Sequence, residues 1–188
     1  MLMKKSSITL FALFFLLLPS RAFAYHIRAG GYVAGQTPIG EANNYFAEAF
    51  GGGICGEFGF SETFGELIRL QYSGIVPKDS ALKSAWQLSQ YIGIWYSIPF
   101  SDTGISFTPS VELGLMFQGA KTIEGYGELP QKAYTDFTFQ FCPAFRYKSE
   151  KILNNKLEIE ASPALTFILQ KTGGLAFFGI RLGALYVF

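Results

Sequence analysis

From residue 25 onward, apolar and polar side chains alternate with period two through eight stretches, at 25–35, 45–60, 64–73, 85–100, 105–117, 137–148, 156–169 and 175–188. That alternation puts successive side chains on opposite faces of a strand. The sixth stretch is the sharpest, with Phe137, Phe139, Phe141, Phe145 and Tyr147 set against Thr138, Gln140, Cys142, Arg146 and Lys148. The last has Ala176, Phe178, Ile180, Leu182, Ala184, Tyr186 and Phe188 on one face and Gly179, Arg181 and Gly183 on the other. In the second, Phe46, Phe50, Ile54, Phe58 and Phe60 oppose Ala49, Gly51, Gly53, Cys55, Glu57 and Gly59, and the Gly51-Gly52-Gly53 run invites a bulge. In the fourth, Gln90 falls on the apolar face as an exception.

The connections sort into two sets. Short turns are predicted at 61–63, 101–104 and 149–155, and loops at 36–44, 74–84, 118–136 and 170–174, the third of these being the longest. Eight strands whose connections alternate between turns and loops fit a closed barrel, whereas a soluble sandwich has no reason to sort its loops this way. Aromatic residues of the apolar face form two predicted belts. Phe58, Phe60, Phe64, Tyr96, Phe100, Phe107, Phe145, Tyr147, Tyr186 and Phe188 lie toward the turns; Phe46, Tyr72, Trp86, Phe117, Phe137 and Phe167 lie toward the loops.

Composition changes the picture by adding a membrane. Only 15% of the residues are charged, against about a quarter in soluble domains, and 17% are aromatic. The apolar residues after Ala24 are dispersed, so the expected spanning structure is a barrel of strands. Before that point, Lys4 and Lys5 precede an apolar run over 8–18 and an Ala22-Phe23-Ala24 ending, the pattern of a cleavable secretory signal. Residues 1–24 are therefore read as a signal peptide and 25–188 as the barrel domain. Removing Lys4, Lys5 and Arg21 from the 15 Lys+Arg leaves 12 against 14 Asp+Glu, a formal charge of −2. Nothing in that balance asks for a nucleic-acid partner.

Charge on the polar faces supplies the candidate site. The registers turn Arg28, Glu57, Arg69, Glu112, Arg146, Glu158, Glu160 and Arg181 inward, with Lys148 and Lys156, and keep nearly every mid-strand charge off the lipid face. An eight-stranded interior is just wide enough to be filled by its own side chains. A paired Arg/Glu network with Gly, Ser and Thr fillers is the expectation, with Glu158 and Glu160 as partners for Arg181. Cys55 and Cys142 fall on opposite walls, too far apart for a disulfide, and are expected as free thiols. Pro109, Pro143 and Pro163 lie on neighbouring strands, where they predict bulges near one rim.

The motif Gly183-x-x-Tyr186-x-Phe188 resembles the terminal strand of bacterial outer-membrane β-barrels, which that family's assembly machinery reads as a targeting signal. Pro109-x-x-x-x-Gly114 is similar to the Pro-then-Gly strands of small barrels of the OmpA, OmpX and OmpW kind. The resemblance implies an all-β fold, an eight-stranded antiparallel up-and-down transmembrane β-barrel. It also implies a place in the bacterial outer membrane with both termini periplasmic. The implied partners are outer-membrane lipid and the barrel-assembly machinery, with Gly183, Tyr186 and Phe188 as the assembly signal.

Two functions follow from a barrel of this kind. One is a structural or interaction role, adhesin-like, with an external ligand or host surface met at 118–136. The alternative is a narrow channel for small or hydrophobic molecules, resembling the OmpW type. Lipid A-modifying enzymes of the same shape, the deacylase and the palmitoyltransferase, need a His beside a Ser or an acid. The single His26 sits at the mature N-terminus and no His-x-Ser pair exists, so no enzymatic activity is expected. A lone His and two separated Cys give no metal site, and no cofactor is indicated. Nor does the glycine run cradle phosphate, since no Lys-Ser/Thr or helix follows it.

Overall fold

The computed structural model describes residues 26–44, 46–78, 82–101, 103–122, 134–148, 153, 156–170 and 173–188. The predicted signal segment, 1–24, and the centre of the longest connection, 123–133, lie outside the described residues. The strands are β1 (His26–Ile39), β2 (Phe46–Gly59), β3 (Phe64–Pro77), β4 (Leu82–Tyr96), β5 (Ile98–Pro99), β6 (Ile105–Thr122), β7 (Tyr134–Lys148), β8 (Leu157–Gln170) and β9 (Gly173–Val187). Each pairs antiparallel with its neighbour, in the order β4-β3-β2-β1-β9-β8-β7-β6-β5. A further β4–β6 pairing closes the sheet on itself. Because β5 continues β4, the barrel has eight staves, up and down, as the alternation predicts. Closure leaves no unpaired edge, and the terminal strand β9 seals against β1 from Arg28↔Val187 to Ile39↔Ala176.

The faces follow parity. Val33, Phe50, Ile54, Leu113, Phe137, Phe141, Phe145, Ile180 and Leu182 are exposed on the outer wall, while their polar alternates are buried. Rings pair along the turn-side belt: Phe60 with Phe64 at 6.0 Å, Phe107 with Phe145 at 5.2 Å and Tyr186 with Phe188 at 5.0 Å. The strands run further into the loops than the apolar pattern does, since polar residues extend a ladder as readily once past the apolar band. Thus Gln36–Ile39, Gly74–Pro77, Gln118–Thr122 and Tyr134–Asp136 are strand, not loop.

Two irregularities differ from expectation. The glycine run at 51–53 keeps a regular register with Ser73, Tyr72 and Gln71, and the bulge falls instead between Phe46 and Ala49. That extra residue reverses the parity at the loop end. Phe46 therefore leaves the loop-side belt and turns inward, its ring 6.2 Å from that of buried Phe177, while Glu48 is left exposed.

The three prolines produce no bulge. Pro109 pairs with Pro143 in unbroken register, and the β7–β8 register is the same on both sides of a gap at 142–144 and 162–164. Pro143 and Pro163 face each other across that gap, and neither has an N–H to give. Ser162 Oγ donates to the Pro163 carbonyl at 3.0 Å. On the other side, Pro109 deprives the Tyr96 carbonyl of a donor, and there β4 breaks from β5 at Ser97. On its other side, the Ser97 N–H continues the β3 ladder by donating to the Thr63 carbonyl at 2.7 Å. The prolines interrupt the ladder without shifting it, because a missing donor on both strands leaves no reason to insert a residue on either.

Candidate functional site in the barrel lumen

Several staves carry their inward charge toward the turn end and neutral or apolar residues toward the loop end. On β3 Arg69 is followed by Gln71, Ser73 and Ile75; on β7 Arg146 is followed by Ala144, Cys142, Gln140 and Thr138; on β6 Glu112 is followed by Gly114 and Met116, while the described inward side chains of β4 carry no charge. The lumen is layered accordingly.

The eight charged residues read from the sequence meet in one alternating chain. It runs Glu158, Arg28, Glu57, Arg146, Glu160, Arg69, Glu112, Arg181. Arg28 Nε lies 3.0 Å from Glu158 Oε2, and its Nη1 lies 3.5 Å from Glu57 Oε2. Arg146 grips Glu57 with both terminal nitrogens, Nη1 to Oε2 at 2.8 Å and Nη2 to Oε1 at 2.5 Å. It also holds Glu160 Oε2 through Nε at 2.9 Å and Nη2 at 2.7 Å. Arg69 bridges Glu160 at 3.8 Å and Glu112 at 3.4 Å, and Arg181 ends the chain on Glu112 at 3.7 Å.

Glu57 and Glu112 are 0% exposed, so none of this is a solvated surface network. Four positive and four negative groups cancel, which lets charge be buried at all: an isolated ion in this setting is prohibitively costly, and a chain of partners compensates it.

The expectation for Arg181 is corrected. Its partner is Glu112, across the lumen, and not Glu158 or Glu160 on the neighbouring stave. Arg146 stands opposite Glu160 in register and occupies it, and Arg181 stands opposite Ser162, further from the turn end. Lys148 and Lys156, expected inward, are exposed at the turn end, where Lys156 Nζ lies 5.7 Å over the Tyr186 ring. A long, flexible stem at the mouth of a barrel reaches water more cheaply than it reaches a partner.

Aromatic residues inside the lumen were not singled out by the alternation. Tyr32, at an inward position of β1, receives the Arg69 and Arg181 guanidinium groups over its ring at 5.0 and 5.7 Å, and its hydroxyl donates to Gln71 at 3.3 Å. It fits because its neighbours are glycines: a Cβ on Gly53 would stand 2.5 Å from the Tyr32 hydroxyl, and one on Gly183 2.9 Å from Tyr32 Cβ. Gly183, read as part of an assembly signal, thus also has a packing role. Trp95 and Tyr91, each 1% exposed, occupy the inward parity of β4. Trp95 stacks under Arg28 at 5.0 Å, lies 5.9 Å from His26 and donates its indole N–H to the Glu66 carbonyl at 3.1 Å. Their inward parity is readable in the sequence, though neither is singled out there.

Above the charges lies a neutral layer, with Gln71 Nε2 donating to Ser73 at 3.1 Å, Gln87 Nε2 to Gln36 Oε1 at 2.9 Å and Gln140 Nε2 to Thr166 at 2.6 Å. The loop end is closed by apolar contacts. A 3-10 helical segment, Gly40–Asn44, folds back so that Ala42 is wholly buried against Met116, Ile168, Leu175, Phe177 and Phe46. Phe46 also packs on Ala49, Ile75 and Ala85. Lys78 Nζ holds this segment from outside, donating to the Asn43 carbonyl and to Asn43 Oδ1 at 2.5 and 2.7 Å.

Both cysteines are free and stand apart. Cys55 Sγ lies 3.9 Å from the Gly30 carbonyl, and Cys142 Sγ accepts from Arg181. Among the described residues, no three His, Cys, Asp or Glu are grouped to hold a metal ion.

No family model and no curated protein matches the sequence. Solved structures share the fold. Neisserial surface protein A superposes with a TM-score of 0.63 at 8% identity, over 85% of this chain and 96% of that one. The outer membrane protein OprG of Pseudomonas aeruginosa gives 0.60 at 10% identity, over 88% and 96%. Ail, the attachment invasion locus protein of Yersinia pestis, gives 0.54 at 11% identity, over 87% and 97%. The chain has the fold of the small bacterial outer-membrane β-barrels.

Proposed function

We propose that the protein is an integral outer-membrane barrel whose lumen is a structural plug and whose work is done by the connections at its loop end. The observation that carries this reading is the unbroken chain of eight compensated charges beneath an apolar cap. A solute crossing the wall would have to part several buried ion pairs and displace Ala42 and Phe177. The outer wall supports the membrane placement, since exposed Val33, Ile54, Ile94, Leu113, Ile180 and Leu182 form a band that water would not tolerate and lipid would.

In this placement both termini and the turns 61–63, 101–104 and 149–155 are periplasmic, and the connection at 118–136 faces outside. The terminal Gly183, Tyr186 and Phe188 direct the chain to the barrel-assembly machinery. An interaction role for the outer loops accords with one structural neighbour: Ail is an attachment invasion locus protein, and its complex with the heparin analogue sucrose octasulfate also shares this fold. Among the described residues, the four glutamates of the ion chain, Glu57, Glu112, Glu158 and Glu160, are each held by arginine.

The test is single-channel recording with the 25–188 chain in planar bilayers. Discrete conductance should be absent from the unmodified chain. Steps of conductance from the unmodified chain would overturn the plug and favour the narrow channel.

A further inference from the structure

One side chain on the outer wall does not fit its surroundings. Gln90 of β4 points outward, opposite Leu70 on β3 and Leu115 on β6, with Leu88 and Ile92 flanking it along its own strand. It is partly exposed, and its amide forms no hydrogen bond among the described residues. Its depth is fixed by the two aromatic belts. Tyr96 stands six residues toward the turns and Trp86 four toward the loops, so at ~3.3 Å per residue and a tilt of ~40° the amide lies roughly 15 and 10 Å from them. That is the middle of the apolar band, and neither belt is within reach of a glutamine side chain. Snorkelling, the usual escape for a polar group near a rim, is therefore closed to it.

We infer that the wall formed by β3, β4 and β6 around Gln90 is the contact face for a second copy of this chain, with the two Gln90 amides paired across the axis. The inference rests on the outer-membrane reading above. The second copy, as against another partner, follows from symmetry and from the amide itself. Copies inserted by the same route share one orientation, so a two-fold axis along the membrane normal brings Gln90 to Gln90 at equal depth. A primary amide carries both a donor and an acceptor, so the pair satisfies itself through reciprocal hydrogen bonds. The surrounding Leu70, Leu88, Ile92 and Leu115 supply smooth aliphatic contact. Polar side chains serve as such glue between spanning segments because lipid offers them no alternative.

The test uses the 25–188 chain refolded in phospholipid vesicles, checked for heat-modifiable migration and β-type circular dichroism. Sedimentation in density-matched micelles should show a dimer, and Gln90→Leu should weaken it by roughly 3–30-fold, the range of one buried polar contact in a membrane. Gln90→Asn should retain most of the association. On mild oxidation Gln90→Cys should yield a covalent dimer, while Ile180→Cys on the opposite wall should not. A monomeric wild-type chain would overturn the inference, including one that retains a bound lipid through Gln90. So would a Gln90→Leu variant that associates as tightly as the wild type. Failure of the migration and dichroism checks would instead strike at the barrel reading itself.

Discussion

Residues inside the barrel are not equivalent, and their place along the ion chain ranks them. Arg146 is an interior link, holding Glu57 and Glu160 through four contacts between 2.5 and 2.9 Å. Arg181 is the end link, with one contact to Glu112 at 3.7 Å, and Glu112 keeps Arg69 without it. Removing one partner of a buried pair costs about 3–5 kcal/mol because it strands the other. Arg146→Met should therefore lower unfolding stability by about 3–5 kcal/mol in urea titrations followed through tryptophan fluorescence, and Arg181→Met by clearly less. Equal losses would mean that the chain is not continuous. At this scale the sequence shows which residues face inward, since parity assigns all eight charges. It does not show which meets which: Arg181 finds Glu112 across the lumen, and alternation speaks only for neighbours within a strand and across a seam.

At the scale of elements, the eight strands were readable because each carries a period-two pattern of its own. Their ends were not, because Gln36–Ile39 and Gln118–Thr122 are strands without an apolar face. The bulge at Phe46 was likewise hidden: the glycine run offered a more obvious place, but glycine permits a bulge without requiring one. The proline level is the weak seam of the wall. Pro143 and Pro163 together remove both ladder bonds that would join β7 to β8 there. Pro143→Ala with Pro163→Ala should restore them, at about 0.5–1.5 kcal/mol each. Part of that gain is lost again because alanine frees the unfolded chain. Amide exchange at Cys142, Ala144, Ser162 and Ala164 should slow by at least tenfold in the double variant. Unchanged exchange would show that the strands are splayed there for another reason.

For the whole molecule, closure depends on β9 meeting β1, and the end of the chain takes part in it. The Phe188 N–H donates to the Ile27 carbonyl at 2.9 Å, and Tyr186 and Phe188 pack edge to face at 5.0 Å. Deleting Phe188 removes one hydrogen bond and one exposed ring, a modest loss to a finished barrel. Its expected effect on assembly in cells is larger, because the terminal residue belongs to the proposed insertion signal. Outer-membrane amounts of the deletion should fall several-fold while the refolded protein keeps nearly its full stability; normal amounts in the membrane would count against the signal. The plug itself is open to direct observation. Solid-state NMR of the 25–188 chain in bilayers can record transfer from arginine side-chain nitrogen to glutamate carboxylate carbon. Cross-peaks joining Arg146 to both Glu57 and Glu160, with guanidinium protons protected from water, are the predicted result; mobile, rapidly exchanging guanidinium groups without such cross-peaks would contradict a filled lumen.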